Sequence, residues 1–189
     1  PDACPDPTRR YPGNGPIDLS FCSYPMYDLA VAPHLLGAVV NPLIGEIGQR
    51  FLGAVPRLWK LFTHWDLPGS KFLASGTSIG HYHRDLNDIG MLWVYIYLTD
   101  VDADSGPHGV VPGSHDRARV ASWLKEAKER GASADYGDRG FDVDDLFDGY
   151  GYQVRVELKE AMFADREQVV TGPAGTTFMS NGFTYHRIC

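Results

Sequence analysis

The chain has 189 residues, 43% of them hydrophobic and 22% charged, with a formal net charge of −7, which suits a single domain able to bury about 70% of the surface its unfolded form exposes. No apolar run reaches the roughly 20 residues that a membrane span requires. The acidic balance and the scattering of its 17 lysines and arginines argue against a nucleic-acid partner.

Residues 1–16 are rich in Pro and Gly, with Pro12-Gly13-Asn14-Gly15-Pro16 reading as turns, and are expected to form a surface arm. Residues 17–56 read as a mostly helical support. Leu35, Leu36, Val39, Val40, Leu43, Ile44, Ile47, Phe51 and Leu52 recur at helical spacing, and Asn41-Pro42 suits an N-cap followed by a first-turn proline, so two consecutive helices backing a sheet are expected.

From residue 57 to 189 the chain reads as a β-rich core. Short runs punctuated by Gly, Pro and Asp predict strands over Trp59–Trp65, Lys71–Ser75, Met91–Thr99, Gly109–Val111, Tyr152–Leu158, Gln168–Thr171, Thr176–Met179 and Phe183–Arg187. In Met91–Thr99 alternation places Leu92, Val94, Ile96 and Leu98 on a packing face and Trp93, Tyr95, Tyr97 and Thr99 on a face suited to a pocket wall. An insertion over 116–151 interrupts these strands. It holds a helix over Asp116–Arg130, capped by Ser114 or Asp116, with Glu126 four residues before Arg130, and then an acidic and aromatic segment that reads either as a lid or as a surface excursion.

Cys4, Cys22 and Cys189 are too few and too separated for a disulfide framework or a zinc ribbon and read as reduced thiols. The first twenty residues show no basic segment followed by an apolar core, so a cytoplasmic location is the default. The oligomeric state is not legible.

Two His-x-Asp tripeptides occur, His64-Trp65-Asp66 and His83-Arg84-Asp85. On an extended backbone residues two apart leave the same face, so either pair could present an imidazole and a carboxylate to one ion. With His186 as a third donor, His83 and Asp85 would make a facial triad of two histidines and one carboxylate, the set that holds iron(II) while leaving positions open. His81 shares their strand face and reads as a pocket-wall residue, as does Trp93. Asp100 to Asp104 fails as a calcium loop, because the glycine falls at the seventh place and Val111 at the twelfth. Neither a phosphate loop nor a serine-nucleophile motif is present.

Context separates the two tripeptides. His83-Arg84-Asp85 is followed by Tyr97-Leu98-Thr99-Asp100-Val101-Asp102, Ser105-Gly106-Pro107, Val111-Pro112-Gly113-Ser114-His115, and then Gly175-Thr176-Thr177-Phe178 ahead of His186. This order resembles the phytanoyl-CoA dioxygenase family of iron(II)- and 2-oxoglutarate-dependent oxygenases, from about Ser78 to Arg187. The resemblance implies a mainly β fold with flanking helices, a double-stranded β-helix or jelly roll of two antiparallel sheets, with His83, Asp85 and His186 as iron ligands. It implies 2-oxoglutarate and dioxygen as cosubstrates, a small-molecule substrate, and hydroxylation with release of succinate and carbon dioxide. A carboxylate at Asp85 argues against a halogenase, whose relatives carry a small residue there. Tyr95, Tyr97 and Thr99 are the expected cosubstrate contacts. The family's arginine for the far carboxylate of 2-oxoglutarate would fall about ten residues beyond His186, so the C-terminus is expected to be incomplete. Arg187 is turned away by alternation. The competing readings are a jelly-roll metal-binding or sensor protein without oxygenase activity and a cupin-type enzyme with His81 as a further ligand.

Overall fold

Proline and asparagine set the helix boundaries of the first part of the chain. The computed structural model describes residues 21–23, 29, 31–66, 80–132, 135–136, 139–140, 142–147 and 156–189. The expected arm over 1–16 and the expected strand over Lys71–Ser75 lie outside them. The chain divides into two compact units, Pro1–Phe72 and Leu73–Cys189.

In the first unit β1 (Phe21–Ser23) pairs antiparallel with β2 (His64–Asp66), Cys22 opposite Trp65. The strand expected over Trp59–Trp65 is thus confined to its end. Helices α1 (Pro33–Val39) and α2 (Pro42–Leu52) are broken where expected. The Asn41 side chain accepts from the Leu43 N–H at 2.9 Å, Pro42 fills the first turn, and Gly53, at φ 70°, closes the helix in the left-handed region. Leu43, Ile47 and Phe51 of the apolar stripe are exposed, and of α1 and α2 only Gly48 is buried.

The second unit holds the remaining sheets. Strand β3 (Leu92–Ile96) pairs antiparallel with β8 (Thr177–Asn181), Val94 opposite Met179. Strand β4 (His108–Val110) lies between β7 (Gln168–Val170) and β9 (His186–Ile188), both antiparallel to it. On the far side of β9, His83 forms an isolated antiparallel bridge with His186. A short hairpin pairs β5 (Asp135–Tyr136) with β6 (Arg139–Gly140). Among the described residues these are small antiparallel sheets that do not close into a barrel, and helix outweighs strand. The expected "mainly β" balance is therefore mixed.

Residues 117–166 carry that difference. After α3 (Arg117–Glu129), whose cap is Asp116 rather than Ser114, come α4 (Val143–Phe147), α5 (Val156–Phe163) and a 3-10 turn, Ala164–Arg166. The strand expected over Tyr152–Leu158 is overturned from Val156 onward. Alternation of Tyr152, Val154, Val156 and Leu158 mimics a strand, but Leu158, Lys159, Met162 and Phe163 are the buried residues, a spacing that only a helix brings to one face. Glu157, Leu158, Lys159, Ala161 and Met162 also favour helix intrinsically. Glu126 meets Arg166 of the 3-10 turn, and Arg130 donates to the Ala161 carbonyl at 2.7 Å.

The main core lies where these helices cover the strands. Tyr82, Val111, Val120, Leu124, Ala127, Leu146, Leu158, Met162, Phe163 and Tyr185 form one buried cluster. Phe163 is at its centre: its ring is 4.6 Å from Tyr185 and meets Tyr82 edge-on at 5.4 Å. No helix among the described residues is long and apolar enough to cross a membrane. Truncating Phe163 to alanine should cost about 3–5 kcal/mol, a large share of a typical domain's stability. Chemical denaturation should show it as a lower midpoint at an unchanged slope.

Candidate metal centre

Strand alternation divides residues 81–85 and 184–188 between two faces. Tyr82, Arg84 and Tyr185 are buried in the layer shared with the helices, while His83, Asp85 and His186 converge on the opposite side. The bridge brings them together: the His83 N–H donates to the His186 carbonyl at 2.9 Å, and the His186 N–H returns to the His83 carbonyl at 3.0 Å. Residues that exchange both bonds stand directly opposite, with side chains on one face. The two imidazoles are 4.3 Å apart between centroids.

One ligand atom from each of His83, Asp85 and His186 lies within 4.8 Å of the others. Asp85 Oδ2 and His186 Nε2 are 3.4 Å apart, close to the roughly 3 Å between adjacent ligands about 2.1 Å from an octahedral ion. This is the one group of three or more His, Cys, Asp or Glu residues among the described residues with such a convergence. His64 joins no such group of described residues.

The hydrogen bonds around the triad prepare each donor. His83 Nδ1 lies 2.9 Å from the His81 carbonyl, and His186 Nδ1 lies 2.9 Å from the Thr184 carbonyl. A carbonyl can only accept, so each Nδ1 carries a proton, and Nε2 is the nitrogen that can give a lone pair to a metal once it is unprotonated. Burial, then the neighbouring His186, pushes the His83 imidazole down to about 4, so it is neutral at pH 7. Burial raises the Asp85 carboxyl, but the hydrogen bond and charge of His186, then His83 and the Trp93 indole, outweigh it and hold the group below its ordinary value. The Trp93 Nε1–H donates to Asp85 Oδ2 at 2.7 Å. A neutral His83 imidazole and an ionised Asp85 carboxylate, beside a His186 whose Nδ1 is committed to a carbonyl, suit a divalent cation.

The other expected site residues divide. Trp93, expected as pocket wall, orients the Asp85 carboxylate. His81 contributes the carbonyl that fixes the His83 tautomer. Tyr95 lies inside the unit, stacked on Phe178 at 4.8 Å and 4.4 Å from His108, and its hydroxyl is raised by burial and then by the Asp85 charge. The Tyr97 hydroxyl is engaged as a strut, donating to the Val170 carbonyl at 2.7 Å and accepting from the His108 N–H at 3.1 Å. Thr99 is exposed beyond the end of β3. Arg187 faces away, held by Glu167 at 2.8 Å and Glu160 at 2.6 Å above the Tyr82 ring.

Two contributors, His108 and Ser114, lie outside the expected set of site residues. His108, buried on β4, places its ring 5.2 Å from that of His186. It is two residues from Val110, which faces His186, so the pairing register would have found it had the pairing been known. Ser114 accepts from the Tyr185 N–H at 2.7 Å, while the Val111 N–H donates to the Tyr185 carbonyl. Gly113, at φ 83°, permits this turn. The Pro-Gly-Ser-His turn therefore locks the residue before His186.

No protein-family model, no curated protein and no solved structure matches the chain.

Trp93→Phe keeps the ring but removes the donor to Asp85. It should weaken divalent-metal binding by about 10- to 100-fold, as read by calorimetric titration, with the far-ultraviolet spectrum unchanged. His83 also sets a pH dependence. Its folded value lies below the ordinary 6.5, so the unfolded chain binds that proton more tightly. The metal-free protein should lose thermal stability as pH falls from about 6.5 towards 4, and His83→Gln should flatten that slope.

Proposed function

We propose that this protein is an iron(II)- and 2-oxoglutarate-dependent oxygenase that hydroxylates a small-molecule metabolite and releases succinate and carbon dioxide. The observation that carries the reading is the facial set itself: His83, Asp85 and His186 converge from one side, both histidine tautomers fixed for ligation. Three ligands on one face leave the opposite positions for a bidentate cosubstrate and dioxygen.

The order of strand pairing supports a jelly roll. The His83 segment, β9, β4 and β7 lie side by side, and β3 pairs with β8, so the chain passes between the two groups in succession. That winding is part of the pattern of an eight-stranded double Greek key. The His108 ring against Tyr95 and Phe178 links the groups and walls the space beside the triad.

In this reading His83, Asp85 and His186 would hold iron(II), which supplies dioxygen activation coupled to decarboxylation of the oxoacid. The chain's own residues do the rest. Trp93 keeps Asp85 aimed and ionised, and the His81 and Thr184 carbonyls keep both imidazoles in the ligating tautomer. Tyr95, Phe178 and His108 provide a largely apolar wall that limits water near the reacting atoms. The Asp85 carboxylate takes the position that a halogenase would leave for chloride, so hydroxylation is the proposed outcome.

The same triad also suits a second reading, a metal-binding jelly roll without oxygenase chemistry. Arg187, the cation next to a ligand, is committed to Glu160 and Glu167 and cannot serve the far carboxylate of 2-oxoglutarate.

Purified protein with iron(II) and 2-oxoglutarate, screened against a panel of metabolites, should release succinate in a substrate-dependent way. His83→Ala and Asp85→Ala should each abolish it. Undiminished succinate from both variants contradicts the triad, and tight metal binding without turnover of any 2-oxoglutarate favours the second reading.

A further inference from the structure

Lys159 is among the most buried charges in the described structure, 3% exposed on the inner face of α5. Lysines are almost never buried at this depth unless paired. Among the described residues its ammonium meets the carbonyl oxygen of Tyr82, at 2.7 Å. A neutral carbonyl offsets little of the desolvation of a full charge, so packing alone does not account for a lysine here.

The carbonyl it grips is informative. The Tyr82 C=O and the His83 N–H belong to one peptide unit. On one side that unit accepts from Lys159, and on the other it donates to the His186 carbonyl at 2.9 Å. A charged donor polarises the peptide and strengthens the bond on its far side. Lys159 therefore acts along a line that runs through the backbone of one proposed ligand to that of another. The same helix braces both from behind: Phe163 packs on Tyr82 and Tyr185, the residues immediately before His83 and His186. Arg84 adds a parallel tie, donating to the Phe183 carbonyl at 2.7 Å and the Leu146 carbonyl at 3.4 Å, which joins α4 to the same strand.

We propose that Lys159 is a positioning residue of the metal centre, and that docking of α5 through the Tyr82 carbonyl is coupled to occupancy of the His83, Asp85 and His186 triad. The inference rests on the metal reading of the triad. Coupling of this kind is reciprocal: whatever fixes α5 tightens metal binding, and metal binding fixes α5. Helix α5 is then a buttress of the site.

The probe is cobalt(II) alone, without cosubstrate, added to the full chain. Lys159→Met retains the apolar stem and removes the ammonium. Calorimetric affinity should fall by about 10- to 100-fold and the ligand-field spectrum of bound cobalt should shift, while the melting temperature of the metal-free protein stays level or rises because a costly buried charge is gone. A residue that served only the fold would lower the melting temperature and leave the affinity of the folded protein unchanged. Binding by the unaltered chain, lost in His186→Ala, with Lys159→Met within twofold of the unaltered affinity, overturns this inference alone. Failure of the unaltered chain to bind cobalt overturns the metal reading and this inference with it. Should Lys159→Met not fold, amide exchange in the unaltered chain decides: cobalt should slow the α5 amides about tenfold or more relative to those of α2, and equal slowing of both overturns the coupling.

Discussion

The site depends on one backbone pairing, the reciprocal bridge between His83 and His186. Two residues far apart in the chain exchange both main-chain hydrogen bonds, and the geometry of such a pair sets their imidazoles side by side on the same face. Asp85, two residues on, follows to that face by alternation. Without the bridge the three donors are unrelated points on the sequence. With it they need only small side-chain adjustments to meet one ion.

The same alternation gives the bridge its support. Tyr82, Arg84 and Tyr185 point to the other side, where α3, α4 and α5 supply the core, and Arg187 is held there by its two glutamates. Apolar burial around Phe163 provides the main driving force. Specific polar ties then fix the register: Ser114 on the Tyr185 amide, Arg84 on two carbonyls, and Lys159 on the Tyr82 carbonyl. A one-residue slip at this strand would turn the histidines into the helical core and the tyrosines towards the candidate metal site, so every tie opposes it. The burial that stabilises the back of the strand also desolvates its front, which keeps His83 neutral and ready to ligate.

Features carried by local pattern were legible in the sequence. The Asn41-Pro42 break between α1 and α2, the α3 helix, and the strands β3, β4, β7 and β8 follow from periodicity and turn chemistry. The convergence of His83 with Asp85 follows from strand period, and its third partner was found through the motifs downstream. What escaped depends on contacts between distant segments. Trp93 reads as an aromatic wall until Asp85 is seen within reach of its indole, and Tyr97 reads as a pocket hydroxyl until the Val170 carbonyl is found against it. The α5 segment misled for a different reason: its approach alternates like a strand, and only burial distinguishes the two periods over so few residues.

On the proposed reading these three side chains form a single divalent-metal site. Anaerobic calorimetric titration of the chain with iron(II) tests it most directly. One equivalent should bind the unaltered protein, and His186→Ala should abolish that binding while retaining the fold. An unchanged stoichiometry and affinity in His186→Ala would contradict a site built from these three residues.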